Sequence, residues 1–131
     1  MSAEAVVREF CAAVSKRDEG LLRPLLADDV VYHNIGMDPS VGIDATVENL
    51  AGQWAMFATT YEFEVRHLAA TDDVVLTERI DHIGSGDVSF PVPVMGVFEV
   101  RDGKIARWRD YFDTGLLGKM MAGEDVGRLI S

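Results

Sequence analysis

Val6, Phe10 and Val14 recur at four-residue intervals near the start of the chain, and Val7 and Cys11 fill the adjacent row. One apolar stripe at this spacing predicts an amphipathic helix, and Ser2 stands where its N-cap is expected. Leu21, Leu22, Leu25 and Leu26 mark a short second helix that starts near Asp18 and ends before Asp28-Asp29. A β-rich run at 30–34 leads into a turn-rich loop holding Asp38, Pro39 and Gly42. Asp44 is the expected cap of a third helix, whose face carries Val47, Leu50, Ala51, Trp54 and Phe57. After Thr59 the period shortens. Residues 61–69, 74–83, 88–100 and 104–112 read as four strands, broken at Thr71-Asp72-Asp73, Gly84-Ser85-Gly86-Asp87 and Arg101-Asp102-Gly103. Asp-Gly between two alternating runs is a tight hairpin signal. Pro91 and Pro93 cannot donate to a ladder, so the third of these strands is expected to begin at an edge or carry a bulge. Helices followed by hairpin-connected strands predict an α+β domain over residues 1–131. A curved sheet folded around three helices makes a cone whose wide end offers a small-molecule pocket.

Strand alternation assigns faces to the polar residues. In the last strand Trp108, Asp110 and Phe112 point together, opposite Arg107, Arg109 and Tyr111. Arg79 and Asp81 share a face with Val75, Thr77 and Ile83, and Tyr32 and Asn34 share one with Val30. Three strands thereby aim Tyr32, Asn34, Arg79, Asp81 and Asp110 toward one concavity. Two carboxylates divide acid and base duties when their surroundings separate their pKa values. An arginine between them bridges both through its fixed fork. A tyrosine hydroxyl, an asparagine amide and one carboxylate can hold a water by three hydrogen bonds. The set suits water activation on one side of an electrophile and protonation of a leaving oxygen on the other. Taken singly, each of these residues has an ordinary structural alternative, a surface charge ladder or a local hydrogen bond.

Composition narrows the classes. Twelve basic against twenty-two acidic side chains give a formal net charge of −10, which opposes binding to phosphate backbones and anionic lipid. A lone cysteine, Cys11, excludes an intrachain disulfide and points to the cytoplasm. Met1 to Ala5 lacks the basic and apolar regions of a signal peptide, and no run is long enough for a membrane-spanning helix. His33, His67 and His82 are scattered, and alternation turns His33 away from Tyr32 and Asn34 and His82 away from Arg79 and Asp81, so no metal site is expected. Cys11 reads as a buried hydrophobe, and Gly84-Ser85-Gly86-Asp87 is misplaced for a phosphate loop. Leu116, Leu117 and Met120 read as a docking helix or a dimer contact.

The runs Leu76-Thr77-Glu78-Arg79-Ile80-Asp81 and Val94-Met95-Gly96-Val97-Phe98-Glu99-Val100 carry a family resemblance. So do Gly103-Lys104-Ile105, Trp108-Arg109-Asp110-Tyr111-Phe112-Asp113 and Tyr32-His33-Asn34-Ile35. In this order they closely resemble the limonene-1,2-epoxide hydrolase family. The resemblance implies a cone-shaped α+β fold of the nuclear-transport-factor-2 and SnoaL-like type, a strongly curved mixed sheet and a homodimer. It implies cofactor-free hydration of a small, largely apolar epoxide to a vicinal diol in one displacement. Asp110 would be the general base, Tyr32 and Asn34 would position the water, and Asp81 would be the general acid. Arg79 would bridge the aspartates. Met37, Leu50, Trp54, Met95, Val97, Trp108 and Phe112 are the expected apolar pocket residues. The alternatives on the same scaffold are proton transfer of the ketosteroid-isomerase or polyketide-cyclase kind and a non-catalytic ligand-binding module.

Overall fold

The computed structural model describes residues 1–130. Helix α1 spans Ala3–Lys16, and the Ser2 hydroxyl accepts from the Ala5 N–H as its cap. Asp18 caps the single turn α2, Glu19–Leu22, and a 3₁₀ turn, Arg23–Leu25, leads into strand β1, Leu26–Asn34. The strand therefore begins four residues before the expected 30–34 run. Its exposed pair Asp28-Asp29 lies where the register against the neighbouring strand shifts, which masks the alternation in the sequence. A two-residue strand β2, Ser40–Val41, sits in the loop that follows.

Helix α3 spans Ile43–Met56, and its N-cap is Gly42, not Asp44. Gly42 takes a φ of 92°, a conformation that a side chain resists, and this places Asp44 inside the first turn. Strands β3 (Thr60–Thr71), β4 (Val74–Ser85), β5 (Val88–Arg101) and β6 (Lys104–Tyr111) are each slightly longer than their sequence pattern or end one residue earlier. Asp102 and Gly103 both adopt positive φ in the β5–β6 hairpin, as its sequence requires. Asp113 then caps α4, Thr114–Met121, and α5 spans Gly127–Ile130.

The curved sheet has the order β2-β1-β6-β5-β4-β3. It is mixed, because β1 runs parallel to β6 while the other pairs are antiparallel. Among the described residues, those of β5 before Met95 have β4 as their only neighbour, so Pro91 and Pro93 occupy an edge.

One face of the sheet is covered by α1 and α3. Phe10 meets Trp108 edge-on at 5.0 Å and Phe98 at 6.1 Å, and Val6, Val7 and Val14 are fully buried beside it. Burial of each such side chain stabilises the fold by roughly 1.5–3 kcal/mol. The Met120 side chain is buried in this core too, so α4 docks as its apolar residues predict. No described helix is long and apolar enough to cross a membrane.

Candidate active site

The inward face of β4 is Val75, Thr77, Arg79, Asp81 and Ile83, all buried. Asp110 lies two strands away on β6, roughly 10 Å across the sheet. The intervening strand brings Gly96 opposite both Thr77 and Asp110. Because Gly96 has no side chain, the Arg79 guanidinium passes over β5 and reaches Asp110. Arg79 is completely buried, yet each of its five N–H groups has an acceptor. Nε donates to Asp81 Oδ1 at 3.0 Å and Nη2 to Asp81 Oδ2 at 2.9 Å. Nη1 donates to Asp110 Oδ1 at 3.1 Å and Thr77 Oγ1 at 3.3 Å, and Nη2 also donates to Asp110 Oδ2 at 2.8 Å. The guanidinium carbon lies 4.4 Å from the Phe63 ring centre, a cation–π contact.

The two carboxylates differ in their surroundings. Asp110 is 3% exposed and its Oδ1 also accepts from Trp108 Nε1 at 2.8 Å. Asp81 has Arg79 as its hydrogen-bond partner and is 8% exposed. Burial pushes the Asp81 carboxyl up to about 6, and the opposing pull of Arg79 does not cancel it; the Asp110 charge pushes in the same direction as burial.

Beside Asp110, β1 supplies Tyr32 and Asn34, because the parallel register pairs Tyr32 with Trp108 and Asn34 with Asp110. Tyr32 stacks on Trp108 at 3.9 Å. Its hydroxyl accepts from Asn34 Nδ2 and from Gln53 Nε2, each at 3.1 Å. Burial raises the pKa of that phenol well above its ordinary value and keeps it neutral. Tyr32, Asn34, Asp81 and Asp110 all border one cavity of about 320 Å³, with Val92, Val94, Ile83 and Phe63 among its apolar walls. Arg79 lies beneath its floor.

Of the expected pocket residues, Met37 and Phe112 line this cavity. Met95 and Val97 do not. Val94 pairs with Arg79, so the inward set on β5 is Val92, Val94, Gly96 and Phe98, and alternation turns Met95 and Val97 to the outer face. Leu50, Trp54 and Trp108 belong to the packed layer behind the wall, with Trp108 held between the Tyr32 and Phe98 rings. The histidines stand apart: His67 beside Glu78, His82 beside Glu64, and His33 Nε2 at 2.8 Å from the Met37 carbonyl. Cys11 is buried in α1 and its thiol is pushed up to about 12 by burial, which keeps it neutral.

Gln53, Asn49, Tyr61, Gly96, Val92 and Val94 are absent from the candidates that the sequence offers. Gln53 follows Asn49 by four and Leu50 by three, so helical spacing already puts it at the edge of the α3 stripe. Tyr61 alternates with Phe63 on β3 and shares its inward face.

The chain has relatives among known proteins. The model of the limonene-1,2-epoxide hydrolase catalytic domain matches residues 1–122. The epoxide hydrolase EphG of Mycobacterium tuberculosis is 35% identical over 121 residues, covering 88% of this chain and 80% of that protein. The structure of an M. tuberculosis epoxide hydrolase like those of this family superposes with a TM-score of 0.81 at 32% identity, over 98% of this chain and 95% of the other. A SnoaL-like polyketide cyclase fold from Shewanella denitrificans reaches the same TM-score at 12% identity, over 93% of this chain and 98% of that one, a likeness of fold alone. The chain belongs to the limonene-1,2-epoxide hydrolase family and is an epoxide hydrolase.

Proposed function

We propose that this protein adds water to a small, largely apolar epoxide in a single displacement, giving a vicinal diol, with Asp110 as base and Asp81 as acid. The observation that carries the reading is the division of Arg79 N–H groups, two to each carboxylate, at the floor of an apolar cavity. Water held by the Tyr32 hydroxyl, the Asn34 amide oxygen and Asp110 attacks an epoxide carbon as Asp110 takes its proton. Asp81, whose hold on its proton burial strengthens, donates to the oxygen from its protonated form as the C–O bond breaks. The proton gained by one carboxyl equals that lost by the other, so the buried cluster of Arg79 and one carboxylate stays neutral throughout. This constancy matters because uncompensated charge is costly in such a site.

The apolar walls Val92, Val94, Ile83 and Phe63 support a compact hydrocarbon-like epoxide, cyclic or aliphatic, as the substrate. Proton transfer of the ketosteroid-isomerase kind requires one base beside an oxyanion site, and a second carboxyl tied to the first through arginine has no role there. The same reading includes a cytoplasmic homodimer. Leu76, Met95 and Tyr111, about half exposed on the outer sheet face, support self-association, and sedimentation equilibrium tests it. The catalytic reading is tested by incubating the purified protein with limonene, cyclohexene and styrene oxides and following diol by mass spectrometry. Diol from at least one epoxide, lost in Asp110→Asn, is the expected result; no diol from any epoxide contradicts it.

A further inference from the structure

Gln53 has no part in the chemistry above, yet it contacts the hydroxyl on which the water depends. Its Oε1 accepts from the Tyr61 hydroxyl, and its Nε2 donates to the Tyr32 oxygen at 3.1 Å and to Asn49 Oδ1 at 2.8 Å. Asn49 is anchored in turn through Nδ2 to the Ser40 hydroxyl at 3.1 Å.

Only one orientation of the amide satisfies this network. Tyr61 is 5% exposed, and among the described residues Gln53 Oε1 is the acceptor for its O–H. Turning the amide over would face that O–H with an NH₂ group and leave a buried donor unmade, which is disfavoured. With the amide so fixed, the Tyr32 oxygen accepts two hydrogen bonds, from Gln53 and Asn34. Its acceptor capacity is filled, and its own proton is directed forward into the cavity.

We propose that Gln53 is a positioning residue that sets the polarity of the Tyr32 hydroxyl, making it a donor to the nucleophilic water. The inference rests on the proposed role of Tyr32 in holding that water. A water that accepts from Tyr32 and donates to Asp110 and Asn34 Oδ1 has one lone pair left, and that pair faces the epoxide carbon. With Tyr32 reversed, three acceptors compete for two water protons, and the attacking lone pair loses its fixed direction.

The test is Gln53→Glu, nearly the same shape with the donor removed. When ionised, the introduced carboxylate offers two acceptors, so the Tyr32 O–H turns back onto it. When protonated, it regains one donor and restores the original polarity. The charged or titratable groups facing this position are Tyr32 from β1, Tyr61 from β3, Asp81 and, beneath it, Arg79 from β4, Asp110 from β6 and Asp38 from the β1–β2 loop. Burial and the three aspartates, whenever ionised, favour the protonated form and Arg79 opposes it. Burial is the largest effect at both neighbouring tyrosines, so the titration is expected above the ordinary carboxyl range.

The expected result is a variant kcat about tenfold below wild type at pH 8, the scale of one directional hydrogen bond, with KM changed by less than about threefold. The ratio of variant to wild-type kcat then climbs toward one as the pH falls to 5, although both enzymes share the Asp81 titration. A ratio that is flat with pH overturns the proposal. Neutron diffraction from wild-type crystals in D₂O supplies a second readout that needs no turnover. Deuterium of Tyr61 on Gln53 Oε1, with that of Tyr32 pointing into the cavity, supports it; deuterium of Tyr32 on Gln53 overturns it. Failure of the wild type to hydrolyse any epoxide defeats the functional reading instead, and the neutron result still decides the polarity.

Discussion

Gly96 stands directly across the β5–β6 ladder from Asp110, and a methyl group at Gly96 would meet Asp110 Oδ1 at 2.7 Å and Thr77 Oγ1 at 2.9 Å, with Arg79 Nη1 closer still. The space that glycine leaves is the channel through which arginine on β4 reaches aspartate on β6. Gly96→Ala therefore displaces a guanidinium held by five hydrogen bonds. The variant is expected to lose about 10²-fold in kcat, the scale of an ångström-sized misplacement, and about 1–3 kcal/mol of stability from overpacking. Initial rates and urea denaturation measure the two. Wild-type activity in this variant would contradict the bridging role of Arg79.

In the proposed mechanism, replacing either carboxyl by its amide removes one proton-transfer partner. Asp110→Asn and Asp81→Asn are each expected to lower kcat by roughly 10²–10⁴-fold while circular dichroism stays native. The double variant is expected to fall little further than the worse single one, because the two act in one step. Additive losses would indicate separate roles.

The pH dependence follows from the Asp81 carboxyl, which folding raises from an ordinary 3.8 to about 6. As the proposed donor, Asp81 must hold its proton, so kcat/KM is expected to decline as pH rises through about 6, reaching about a tenth of its plateau one unit above. The same shift has a sign for stability. The native state binds this proton more tightly than the unfolded chain, so the group's contribution is full below about 3.8 and is lost as pH rises through about 6. Wild type should thus lose stability relative to Asp81→Asn across that window. Urea titrations at a series of pH values check it, and a constant difference would contradict the shift.

Arg79→Ala leaves two buried carboxyls without their cation. The expected destabilisation is about 3–5 kcal/mol near neutral pH, the scale for breaking a buried pair. It should shrink as pH falls, because protonated carboxyls tolerate burial where carboxylates do not. Equal destabilisation at pH 5 and pH 8 would argue that packing against Phe63, not charge, is what Arg79 supplies.

Legibility in the sequence followed the strength of alternation. On β4 one face is Val75, Thr77, Arg79, Asp81 and Ile83 and the other is charged or half-exposed, so the strand declared which residues turn inward. On β5 both faces carry apolar residues, Val94 and Phe98 inside and Met95 and Val97 outside, and the period could not choose between them. The informative residue there is Gly96, whose role appears only once β4 and β6 are known to flank it. The start of α3 is misread from sequence because Asp44 is an ordinary capping residue, whereas the positive φ of Gly42 is set by the loop before it. Gln53 and Tyr61 come from a helix and a strand whose meeting no local pattern encodes.

The central claim is direct attack by water, and a single turnover in ¹⁸O-labelled water tests it most directly. Excess enzyme is mixed with an epoxide that it hydrolyses, and the diol is analysed by mass spectrometry. Attack by a water activated at Asp110 predicts one labelled oxygen in the diol from that first turnover. A first-turnover diol without label would mean that an enzyme carboxylate had attacked the epoxide, contradicting the account.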